Sequence, residues 1–366
     1  MELRVIDSAT FATVDIVDSY ISCIWHVEWA GFGDFELVVP YSAKNRALFA
    51  VGRIIYRAED STVEDGIITA HNAMFIEQVD VGYTSDLGYT MTITGRGVKS
   101  ILCKRIVWNQ VNFDDELFGV VLGALVDENF INPEIENREI PGINLPMAVI
   151  GIPSITAQLY GENIGDWIDE QARAQNFGWE ITISGIDAGD GPAYNIDFLT
   201  GNDLTGSVIF SPEYGNLLSV DFTESTVNYK NVALVGGEGE GTSQIKTAVS
   251  IGNKVGMGRH EIYVNGVSRS TNGGSIPLAT YRKMLQQYGV TELIKSTKTM
   301  TASGEIDVNG VFKIGVDYNL GDKVKVALDA SLEGAAVLTD ILYSHDSNGP
   351  VTVGTFNDWE VLNDGD

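Results

Sequence analysis

Apolar and polar positions alternate along much of this chain in short runs, broken by glycine, asparagine and proline. Leu3-Arg4-Val5-Ile6-Asp7 and Phe35-Glu36-Leu37-Val38-Val39 predict strands, the second running into Pro40. Residues 11–26 are apolar and β-branched, and Gly31-Phe32-Gly33-Asp34 predicts a turn between the aromatic run 25–29 and the next strand. Residues 66–76 and 89–95 alternate with period two, and 42–50 fits one short helix. The period then changes. Residues 114–126 (DDELFGVVLGALV) predict a helix with acidic side chains in its first turn, where the helix dipole favours them. A loop follows through Pro133, Pro141, Pro146 and Pro153. Residues 163–176 predict a second helix with Ile164, Trp167, Ile168 and Ala172 on one face; Gly178 stands at the C-terminal cap and a strand leaves from Trp179.

From about 194 the chain reads as β again, with a strand at 194–198, two more within 217–235, and a helix over 278–287. Residues 236–241 (GGEGEG) combine backbone freedom with charge and mark a border. Asn265-Gly266, Asn309-Gly310 and Asn348-Gly349 each stand between strand-like runs and predict hairpins. No repeat of fixed short period occurs.

A chain of 366 residues has room for two to four compact units of roughly 100–200 residues each. With 44% hydrophobic and 20% charged residues it is a folded protein and not a disordered tail. Fifty acidic against 23 basic side chains leave a formal charge of −27. That excludes a broad grip on nucleic acid and disfavours anionic lipid. Such acidity serves either solubility or a surface that must not hold a polyanion, such as the wall of a DNA conduit. Cys23 and Cys103 stand in no metal spacing and read as small buried hydrophobes made in a reducing compartment. The start MELRVIDSATF holds no signal peptide, and no run approaches 18 apolar residues; synthesis in a cytoplasm without membrane insertion is expected.

Candidate chemistry is broken at required positions throughout. The glycine string lacks the Lys-Ser/Thr of a phosphate loop, and Gly241 replaces the Asp of a calcium nonapeptide. His260-Glu261 opens like a zinc-protease motif, but Val264 occupies the second histidine's place in a segment that reads as a strand. Gly266-Val267-Ser268-Arg269-Ser270 lacks the last glycine of a nucleophile elbow. His26, His71, His260 and His345 lie far apart and read as half-buried strand residues. Asp187 and Asp190-Gly191 lack the ladder and distant Glu of a calcium loop, and no carboxylate pair stands out for glycosidase work. The segment Trp25, Trp29, Phe32, Phe35 suits a core or subunit interface better than a sugar platform. No catalytic, cofactor-binding or metal residue is assigned, no cofactor is expected, and the chain is read as a non-enzyme.

Several stretches in order resemble one family. They are 104–110 (KRIVWNQ), 126–133 (VDENFINP), 208–218 (VIFSPEYGNLL), 228–235 (NYKNVALV), 318–326 (YNLGDKVKV) and 354–356 (GTF). Together they are similar to the tail-hub proteins of long-tailed phages and prophages, related to the N-terminal part of tail-associated lysins, over nearly the whole chain. The resemblance implies a mainly β protein of α+β type: two tail-tube-like β-barrel domains with smaller peripheral helix-containing domains. It places the first tube-like domain at 1–110, a helix-containing peripheral domain at 111–193, the second tube-like domain at 194–235 plus 306–366, and an inserted peripheral domain at 236–305. It implies a homotrimeric ring at the virion tail tip, synthesised in the bacterial host cytoplasm. One face of that ring would meet the tail tube or distal tail protein, the other tip or fibre proteins. DNA would pass through the lumen without specific binding. Relatives often continue into a peptidoglycan-cutting or host-binding domain, and none is expected before Asp366. The alternative is a carbohydrate-binding host-recognition tail protein without catalysis.

Overall fold

The computed structural model describes residues 1–145, 152–189, 191–252, 255–329 and 332–361. One long antiparallel sheet runs through it. In chain order its main strands are β1 (Ser22–Glu28), β2 (Asp34–Pro40), β3 (Gln78–Thr84), β4 (Gly88–Arg96), β5 (Asp221–Ser225), β6 (Thr299–Glu305), β7 (Leu332–Asp346) and β8 (Gly349–Val361). Across the sheet they stand in the order β5-β6-β8-β7-β1-β2-β4-β3, with Lys323–Asp329 attached beside β7 and Ile209–Phe210 beyond it. Period-two patterning makes these strands: β1 buries Cys23, Trp25 and Val27, and β2 buries Phe35, Leu37 and Val39, while the residues between them stay out of the core. The mainly β expectation holds.

Two cores lie under this sheet. Beneath β1–β4 sits a four-stranded sheet of Thr13–Val17, Leu3–Ile6, Ile54–Arg57 and Met74–Phe75, and Leu3, Val5, Trp25, Leu37, Ile55 and Ile93 share one core. Beneath β6–β8, Phe210, Val324, Val326, Leu338 and Phe356 form another. The β1–β7 ladder, with Trp25 opposite Tyr343, joins the two parts into one surface. Trp29 pins the joint. A Cβ on Gly178 or Gly321 would stand 2.4 or 2.3 Å from its indole ring, so only glycine admits the ring at both places.

Helix α1 (Ala43–Leu48) is capped by Ser42, whose hydroxyl accepts from Asn45 N at 3.0 Å. Helix α2 (Phe118–Val126) starts later than the sequence predicts. Asp114, Asp115 and Glu116 belong instead to strand Val111–Glu116, paired with Ile155–Leu159 across an irregularity where Asp115 takes φ 56°. Ser154 and Thr156 hold Asp115 there, so local tertiary partners displace the helix dipole. Helix α3 (Ile164–Gln175) begins at Asn163, which accepts from Asp166 N, and ends at left-handed Asn176; Gly178 is the first residue of strand Gly178–Ile186 and not the cap.

Helix α4 (Leu278–Ile294) runs about two turns beyond the predicted 287, because Leu293 reaches the same core as Tyr281 and Leu285. That core is closed by a three-stranded sheet centred on Val232–Gly236, with Lys246–Ser250 and Glu261–Asn265 on either side. Of the three Asn-Gly pairs only Asn348-Gly349 joins paired strands, β7 and β8. Asn265-Gly266 leaves a strand whose partner is parallel, and Asn309-Gly310 closes a turn on Asp307 O before a long loop. The dipeptide permits a tight turn; the sheet decides what lies beyond it. No helix among the described residues is long and apolar enough to cross a membrane.

Candidate functional site

Strict alternation gives the long sheet one face free of the cores. It presents Ile24, His26 and Glu28 from β1, Asp34, Glu36 and Val38 from β2, and Thr90, Thr92 and Thr94 from β4. On the other side follow Asp340, Leu342, Ser344 and Asp346 from β7, Val351, Val353 and Thr355 from β8, and Ser303 and Glu305 from β6. Asp80 on β3 and Asp221 on β5 stand at the two margins. None of these side chains is buried. Hydroxyls and carboxylates dominate; the cations are His26 and Arg96 in these registers, with Arg96 held by Glu77 at 2.9 Å, and Lys323 and Lys325 on the attached strand, held by Glu360 at 2.6 Å and Glu333 at 2.8 Å. At one end a cleft lined by Glu28, Asp340, Arg173 and Lys295 separates the face from α3 and α4.

At that end the sheet brings like charges together. Glu28 lies directly opposite Asp340, and His26 opposite Asp34. The imidazole stands among them: Nδ1 is 3.5 Å from Asp34 and 3.7 Å from Glu28, and Nε2 is 3.6 Å from Asp340. Asp340, then the charges of Glu28, Asp340 and Asp34, raise the His26 pKa to about 9 against the cost of burial. Arg173 of α3 reaches Glu28 at 3.2 Å, and the Thr339 hydroxyl donates to Asp340. His26, Glu28 and Asp340 are groups that could share a metal ion. Carboxylates against both ring nitrogens suit better a protonated ring that is itself the cation, since a metal takes the lone pair of one nitrogen.

The other side of the β1–β7 joint is a groove whose floor includes Val27, Leu320, Ile341 and Tyr343. Arg57 closes it: the guanidinium lies 3.7 Å over the Tyr343 ring and makes two 2.7 Å bonds to Asp60. Lys99 is buried nearby, donating to Glu28 O and Trp179 O, and desolvation lowers its pKa to about 8. Sequence reading missed Arg57, Lys99 and the His26 cluster, whose partners lie far away in the chain.

The sequence candidates scatter. His71 meets Glu180 at 3.2 Å, His345 Nδ1 lies 2.6 Å from the Tyr20 hydroxyl, and His260 leads into strand Glu261–Asn265. Asp187 binds the Thr13 amide and hydroxyl, and Asp190 lies outside the described residues. Glu238 of the glycine string accepts from Thr271 N at 2.6 Å. Cys23 and Cys103 are free thiols, both pushed up to about 12 by burial. Trp25, Trp29 and Phe35 are buried and Phe32 half-buried, so these rings pack the interior of the chain and offer no platform for sugar.

A family model described as "Siphovirus ReqiPepy6 Gp37-like protein" matches residues 2–355. No curated protein matches the sequence. Among solved structures, the 43 kDa tail protein of prophage MuSo2 from Shewanella oneidensis is 13% identical, covers 97% of each chain and superposes with a TM-score of 0.55. A tail protein from Neisseria meningitidis MC58 is also 13% identical, covers 97% of this chain and 96% of its own, and gives 0.54. Likeness at this identity is likeness of fold.

Proposed function

The chain belongs to the Siphovirus ReqiPepy6 Gp37-like protein family, and on that premise we propose that this phage tail protein is a structural, non-enzymatic subunit of the tail-tip hub. Three copies would close a ring around the DNA channel. The long sheet carries this reading. Its eight main strands alternate in direction, so a copy rotated about an axis along the strands brings β5 antiparallel to β3. Strand β3 carries no Lys, no Pro and no bulge of the kind that protects a free edge. On its core side the β3–β4 hairpin runs past the core and leaves Val81, Tyr83 and Tyr89 at least half exposed, an apolar surface for the neighbour to cover.

Closure of the sheet turns its acidic, hydroxyl-rich face inward, where phosphates find few cations and DNA passes without specific binding. The tail tube or distal tail protein would then contact one face of the ring, and tip or fibre proteins the other. The division into two tube-like units and two peripheral ones belongs to the same proposal, with two adjustments. Val232–Gly236 lies in the small sheet and Thr299–Glu305 in the long one, so the inserted unit is taken to run from just before Val232 to just before Thr299, not from 236 to 305. Light scattering with negative-stain imaging tests the reading. A three-copy particle with a central hole is expected; a monomer at tens of micromolar, or a solid particle, overturns it.

A further inference from the structure

Segment 104–110 belongs to neither the open face nor the joint. Val107 is buried and anchors it, while Ile106 and Trp108 remain 40% and 47% exposed. Arg105 Nε donates to Arg138 O at 2.7 Å, and Arg138 Nη2 returns to Ile106 O at 2.8 Å, so each arginine pins the other's loop. The Arg138 guanidinium lies 4.8 Å from the centre of the Trp108 ring. Burial, then the charge of Arg105, lowers the Arg138 pKa, as befits two cations held together. Among the described residues Lys104, Arg105 and Arg138 enter no ion pair, whereas Arg173, Lys295, Lys298 and Lys323 each hold a carboxylate. In a chain of net charge −27 these three cations gather beside an exposed tryptophan, with Glu134, Glu136 and Glu139 on the loop that carries Arg138. Trp and Arg are the residues that most often carry binding energy at interfaces.

We propose that Lys104, Arg105, Trp108 and Arg138 form a cationic docking patch for a second copy of this chain; the inference rests on the ring reading. Position and charge name the occupant. Lys104 Nζ lies 4.7 Å over the Phe75 ring, just before the free strand β3 begins. Through the registers, the Gln78 end of β3 is the end of the sheet that also holds Arg96, Asp34, Glu28, Asp340 and the Ser225–Thr299 pair. A neighbour joined β5 to β3 therefore brings the tail of its β5 to the level of the patch. That tail carries Glu224, whose half-exposed carboxylate is paired within its own chain to Lys298, and then Val227, which is 87% exposed. An acid and an uncovered aliphatic side chain complement a cation and an uncovered tryptophan.

Lys104→Glu and Trp108→Ser test this, because both side chains are exposed and neither makes the backbone bonds of the two arginines. Each variant is expected to raise the concentration at which the full-length ring falls apart at least tenfold, with the melting temperature of the dilute monomer unchanged. Glu224→Lys combined with Lys104→Glu should recover part of the loss, which a local folding defect would not. A wild-type ring whose variants dissociate at the same concentration overturns the patch and leaves the ring standing. A wild-type monomer overturns both. Binding of a 20-base-pair DNA duplex by the wild type at 0.15 M salt, lost in Lys104→Glu, would make the patch a nucleic-acid surface and overturn the proposal.

Discussion

His26 is a cation at neutral pH because three carboxylates from three strands surround it, and its folded-state pKa is raised from 6.5 to about 9. A raised value means that the folded chain binds the proton more tightly than the unfolded one. The stabilisation is thus complete below pH 6.5, the unfolded value, and is lost as pH rises through about 9. Discounted for partial exposure, it amounts to about 1–2 kcal/mol. Lys99 works in the opposite sense: its pKa is lowered to about 8, so the cost of burying its charge is full below pH 8 and is relieved toward 10.5. Wild type and His26→Gln share the Lys99 effect, and comparing them isolates the histidine. The wild type is expected to unfold at higher denaturant than His26→Gln at pH 6, with the gap closing by pH 10. A gap constant across that range would show that the imidazole acts by packing alone.

The elements divide by how local their causes are. Ser42 and Asn163 announce α1 and α3 because a cap bonds an amide three residues away. Period-two runs announce β2 and β4 because one face meets a core. Residues 114–116 misled because carboxylates before an apolar run look like a helix start, while the partners that draw them into a strand, Ser154 and Thr156, lie about forty residues on. The His26 cluster was illegible for the same reason, since register between β1, β2 and β7 assembles it and no spacing in the chain records that register. The inserted unit yields a prediction at this scale. Its two ends meet, Lys230 N donating to Ser296 O at 2.8 Å, and its core of Val235, Tyr281 and Leu285 is its own. Replacing residues 231–295 by a short glycine link should leave a soluble chain whose strand signal in circular dichroism persists. The ion pairs Lys295–Glu170 and Arg269–Glu162 are lost, so a small drop in melting temperature is expected. Aggregation of the shortened chain would mean that this segment completes the fold instead of decorating it.

At the scale of the whole molecule the charge of −27 acts through its distribution. Beyond a Debye length of about 8 Å at physiological salt a carboxylate is screened, so only the acids on the open face would be felt by DNA in a narrow channel. That face sets Glu36 and Asp80 among threonines, and its His26 and Arg96 are already engaged by carboxylates. On the proposed reading DNA would slide past such a wall because no phosphate gains a lasting partner, and each unengaged lysine placed there would add a counterion-releasing contact. Each contact steepens the fall of log affinity with log salt by about 0.9. The double variant Glu36→Lys, Asp80→Lys is therefore expected to bind duplex DNA between 0.05 and 0.2 M salt with a steep salt dependence, where the wild type binds none. Glu64→Lys, an equally exposed position on strand Ser61–Glu64 of a different sheet, is the control and should bind no better than the wild type. If the control gains as much as the double variant, the open face is not the channel wall and the acidity serves solubility alone.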